Sequence, residues 1–124
     1  MNMDVEKRLQ QINIENYIWV IYLIIIGFSF ISNELEKDYF VNHNLKSKEQ
    51  YRKINIMIFS VITIIYLYFV KESYESVKEK NKSETLKKYD FLSFIASSLV
   101  FISGIIFLYI AIDDKDIEEE IAFN

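Results

Sequence analysis

Residues 91–112 read FLSFIASSLVFISGIIFLYIAI, twenty-two positions without a single charge. As a helix rising about 1.5 Å per residue, the stretch spans about 33 Å, against a bilayer hydrocarbon core of about 30 Å. Asp90 stands at one end and Asp113 and Asp114 at the other. The stretch predicts a transmembrane helix. Residues 17–33 and 54–70 are equally free of charge and read as its shorter partners.

The averages alone would suit a soluble protein, with 52% hydrophobic and 26% charged residues. The distribution decides otherwise, because all 14 Lys and Arg and all 18 Asp and Glu lie outside the three windows. A soluble helix keeps charge on its exposed face, and these windows have no polar face. A soluble three-helix protein would leave too large an apolar patch in water. There is no proline and there are only two glycines, so nothing interrupts the apolar runs and hairpin punctuation is missing. The expected fold is all-α: three antiparallel transmembrane helices, up-down-up, in a single membrane domain over residues 1–124. The first two helices are expected to extend beyond the bilayer.

Ahead of the first span, Val5, Leu9, Ile12 and Asn16 recur at helical spacing and predict a short amphipathic helix, with Asp4 as its candidate N-cap. Tyr17, Trp19 and Tyr22 near the start of that span suit the headgroup level. The long polar lead and the length of the apolar run argue against a cleaved leader. Residues 34–41 hold no breaker, so the helix is expected to run on into water, and residues 42–46 carry the best turn signal of the first half. Ser47 and Gln50 have capping-box spacing for the second helix. Asn55 lies near the start of the second span, where interfacial water would meet it. Ser60 and Thr63 are expected to bond back to backbone carbonyls. Residues 81–83 suit a second turn, and Asp90 is placed to cap the third span.

The acidic tail, 113–124, holds six carboxylates and one lysine, and a solvated tail is the simplest reading. Lys and Arg near the span ends number eight on the side of the amino terminus and second loop, against six on the other side. That excess predicts a cytoplasmic amino terminus.

One face of the third span carries small residues. Ser93, Ser97, Gly104 and Ala111 follow spacings of four, seven and seven, so they form a helix-packing seam, with hydroxyls able to bond across a helix pair. The seam serves either contact between copies, as in a pore, or packing within the chain, and packing within the chain is the simpler reading. Glu34 and Asp38 share a helix face and could hold a cation, although a solvated face with Lys37 alongside explains them as well. His43 is the only histidine and falls in the first turn, an exposed loop position.

Several functional classes are excluded by what the chain lacks. With no cysteine, disulfides, thiol catalysis, thiolate zinc sites and a lipid-modified cysteine anchor are ruled out. A net charge of −4 with no clustered basic surface argues against nucleic-acid binding. No glycine-rich phosphate loop, dinucleotide fingerprint, calcium loop or metal-ligand cluster occurs, so no cofactor or metal is expected. No ionisable group lies at membrane depth, where ion-coupled carriers keep one. No serine in a span has a base at its own depth to activate it, and no enzymatic activity is expected.

The leading expectation is a small non-enzymatic, multi-pass accessory or interaction protein. Its partners would be the lipid bilayer and either another membrane protein or further copies of itself. Immunity proteins that protect membranes from peptide toxins are similar in size and build. The alternative is a self-assembling pore: three-span holins are similar in length and hydropathy, but they commonly end in a basic tail, which this chain lacks.

Overall fold

The computed structural model describes residues 3–113, and all of them except two short turns are helical. Three α-helices follow in order: α1 (Met3–Asn42), α2 (Leu45–Lys78) and α3 (Glu84–Asp113). Their 40, 34 and 30 residues correspond to lengths of about 60, 51 and 45 Å. Each is long and apolar enough to cross a membrane. The acidic tail, apart from Asp113, lies outside the described residues, as does the Asp4 side chain.

The polar lead and the first span form one uninterrupted helix, since α1 already begins at Met3. Its stripe of Val5, Leu9 and Ile12 is exposed rather than packed. The third helix also extends past its apolar run, starting seven residues before Phe91.

Both helix starts differ from the capping signals. The N-cap of α2 is Asn44, whose Oδ1 accepts from the backbone N–H groups of Lys46 (3.0 Å) and Ser47 (3.4 Å). Ser47 is already the third residue of the helix, and its hydroxyl donates to Asp38 Oδ2 at 2.6 Å. At α3, the Ser83 hydroxyl accepts from Leu86 N at 3.2 Å. Asp90 is thus already inside the helix, where it holds Lys82 Nζ at 2.7 Å. The two turns pass through left-handed residues, His43 (φ 54°) and Asn81 (φ 69°). Asparagine tolerates that region well, and histidine less so.

Contacts tie α1 to α2 and α2 to α3, and no Cα atom of α1 comes within 8 Å of one in α3 among the described residues. The central helix α2 therefore supplies most of the buried side chains: Ser47, Tyr51, Asn55, Ile58, Phe59 and Ile65. Gln11 meets Glu72, Ser32 meets Asn55 and Asp38 meets Ser47, so partner numbers fall along α2 as they rise along α1. The same inverse pairing joins α2 to α3 through Ser73 with Ser97 and Arg52 with Ile112. Large apolar side chains such as Tyr17, Leu23, Phe30, Ile64 and Leu99 stay exposed. That surface is compatible with a small membrane protein, whose solvent at these positions is lipid.

Candidate functional site

A close helix contact lies between α2 and α3. Gly104 is buried, and a β-carbon there would stand 2.9 Å from Thr63 Oγ1. That oxygen cannot swing away freely, because it donates to the Phe59 carbonyl at 2.7 Å. One turn on, the rings of Phe59 and Phe107 stack with centroids 5.5 Å apart, and Ala111 is buried in the same cluster. Towards the other end, the hydroxyls of Ser73 and Ser97 are 3.4 Å apart. Ser97, Gly104 and Ala111 thus all lie on the face turned to α2 of the same chain. Ser93 is exposed on the rim of a cleft. Arg52 completes this interface by donating to the Ile112 carbonyl, in the last described turn of α3.

The α1–α2 interface is held by polar pairs. Ser32 and Asn55 are both buried, 2% and 5% exposed, and Ser32 Oγ donates to Asn55 Oδ1 at 2.7 Å. Asn55 therefore meets a helix partner rather than interfacial water. Ser60 and Thr63 bond back to the carbonyls of Ile56 and Phe59, as their positions suggested. Tyr51 is fully buried near Tyr39, and Lys48 lies over the Tyr39 ring.

Asp38 organises the first turn. Its carboxylate accepts from Ser47 Oγ, from Asn42 Nδ2 (2.7 Å) and from Asn44 Nδ2 (2.9 Å). The Ser47 hydroxyl, followed by the Asn42 amide, holds its pKa below the usual aspartate value. Glu34 is exposed one turn away. Among the described residues no group of three His, Cys, Asp or Glu is arranged to hold a metal. Asp38 serves here as a hydrogen-bond acceptor for the turn, and His43 is exposed beside it.

A cleft of about 380 Å³ opens at the opposite end of the molecule. All three helices reach it: Arg8 and Glu15 from α1, Glu72 and Ser73 from α2, Asp90 and Ser93 from α3. Arg8 Nη1 lies 3.4 Å from Glu15 Oε1, and Gln11 Nε2 donates to Glu72 Oε2 at 2.5 Å. Lys82 bridges Asp90 and Glu79 from outside the wall, and its pKa is raised chiefly by the bond to Asp90. Next to this cleft, and sharing Glu15 and Phe69 with it, lies a smaller one of about 240 Å³ walled by Ile18, Trp19, Tyr22 and Tyr66.

Of these cleft residues the sequence singled out only Ser93 as a site residue, in the packing seam and not for binding, although a signal was present. Glu15, Glu72 and Asp90 stand one or two residues outside the three apolar windows, all at the same end of the molecule. No family model, no curated protein and no solved structure matches the chain.

Proposed function

We propose that the chain is a small non-enzymatic integral membrane protein that acts by docking onto a partner in the membrane. Its three helices would cross antiparallel, up-down-up, with the amino terminus and second loop in the cytoplasm, where the larger share of Lys and Arg lies. The observation that carries this reading is the central position of α2. Because no Cα atom of α1 lies within 8 Å of one in α3 among the described residues, each of the two keeps large apolar side chains exposed. Lipid covers such side chains, and a second membrane protein can replace that lipid. Three of the four small residues that would line a seam between copies, Ser97, Gly104 and Ala111, have neighbours on α2 of the same chain, which supports packing within the chain. A pore would need another face of α3.

The test has two arms. Carbonate-washed membranes should retain the protein, and single cysteines at positions 43 and 81 should label from opposite sides. Solubilisation in a mild detergent after cross-linking in native membranes should then recover one recurrent partner. Release by carbonate removes the membrane reading. Repeated recovery of the chain alone removes the docking reading.

A further inference from the structure

We propose that the two adjoining clefts form one amphipathic binding groove for a small lipophilic ammonium ion. Their volumes, about 380 and 240 Å³, lie at the scale of small-molecule sites. The groove is polar at one end and aromatic at the other. The polar end lies at the border of the apolar windows, and the aromatic end lies within them.

The charge balance selects the sign of the ligand. One cation, Arg8, faces three carboxylates, Glu15, Glu72 and Asp90, in the wall of the larger cleft. Arg8 offsets Glu15, and Lys82 offsets Asp90. Glu72 accepts only from the neutral amide of Gln11, with no cation within 4 Å of its oxygens among the described residues. A half-buried carboxylate bordering an apolar span gains from a counter-cation that leaves water with it. A phosphate headgroup would be repelled by the same wall. A bare divalent ion requires six to eight oxygens for calcium or strict octahedral geometry for magnesium, and no metal-binding group occurs among the described residues.

The second cleft selects the body of the ligand. Trp19 and Tyr22 pack edge to face at 5.9 Å, and Tyr66 and Phe69 do so at 5.5 Å. The four rings thus form two pairs, one on α1 and one on α2. Aromatic faces attract organic cations through their quadrupoles, and their apolar surface shelters the carbon groups around the nitrogen. An ammonium head at Glu72 therefore leaves an apolar body at the height of the rings. This site does not rest on the docking reading, because it is defined by the cleft lining alone; Trp19 itself is 66% exposed on α1.

The chain supplies its own reporter, because Trp19 is its single tryptophan. The experiment titrates the full chain, in dodecyl maltoside micelles that carry no ammonium group, with benzyltrimethylammonium and reads Trp19 fluorescence. A saturable change is expected, weakened about tenfold or more by Glu72→Gln and by Phe69→Ala. Glu34→Gln, at the other end of the molecule, should leave the affinity unchanged. Circular dichroism establishes that each variant keeps its helices, and Glu72→Ala replaces Glu72→Gln if that variant does not fold. A non-saturable change overturns the proposal. So does a saturable change that the groove substitutions leave untouched.

Discussion

Gly104 packs directly against Thr63, with 2.9 Å between the threonine Oγ1 and the place a β-carbon would take at residue 104. Thr63 is β-branched, and its hydroxyl is tied to Phe59. It has little freedom to yield. The contact requires a residue without a side chain, in a helix where glycine otherwise brings no advantage.

Substituting this glycine should separate the two helices. Gly104→Leu is expected to destabilise the α2–α3 interface by about 1–3 kcal/mol through overpacking. The reporter is a Ser73→Cys, Ser97→Cys pair, whose native hydroxyls are 3.4 Å apart in a chain with no cysteine of its own. Mild oxidation should close an intramolecular disulfide, and adding Gly104→Leu should lower its yield. Gly27→Leu provides the contrast, because nothing lies within 4 Å of a β-carbon there. Equal yields in both backgrounds would sink the argument.

The Ser32–Asn55 bond should be measurable as a coupling energy. Removing the hydroxyl by Ser32→Ala leaves a buried acceptor on Asn55 and should cost about 1 kcal/mol in mixed-micelle unfolding. Ser32→Ala combined with Asn55→Leu should cost less than the sum of the single changes. Strict additivity would show that the pair is not coupled.

Acid should loosen the first turn. The folded-state pKa of Asp38 is depressed, so its contribution is complete above the unfolded value of about 3.9 and is lost as pH falls through the lower folded value. Stability should be flat with respect to this group above about pH 5 and decline below its ordinary pKa. Asp38→Asn should remove that part of the acid dependence. An unchanged acid profile in the variant would count against the assignment.

The left-handed backbone of His43 is a local cost that glycine would relieve. His43 N donates to the Tyr39 carbonyl at 2.8 Å, closing α1 with a residue at φ 54°. His43→Gly should stabilise the α1–α2 pair by up to about 1 kcal/mol, less what glycine adds to unfolded-chain entropy. Thermal unfolding in detergent provides the measurement, and a lower midpoint would refute it.

The helices and the first turn were legible because each follows from local spacing, and residues 42–46 do hold that turn. Of the four small residues expected on one face of α3, Ser97, Gly104 and Ala111 have neighbours on α2 and Ser93 is exposed. The caps differ because each helix begins before its capping signal, which leaves Ser47 and Asp90 inside α2 and α3 with remote partners for their side chains. Ser47 is drawn to Asp38, nine residues earlier, and Asp90 to Lys82, eight residues earlier. The burial of Asn55 depends on the register between α1 and α2, which no local pattern encodes. The same holds for the cleft: Arg8, Glu72 and Asp90 come from three helices, and only the packing around α2 brings them together.

The central place of α2 also bears on how the chain is made. Each interhelix contact joins helices that are consecutive in sequence. The α1–α2 pair can close while α3 is still being synthesised, because no contact of α3 needs the first two helices to part. The third helix then adds to a finished edge, so insertion and assembly can proceed in the same order without the long-range rearrangements that slow larger folds.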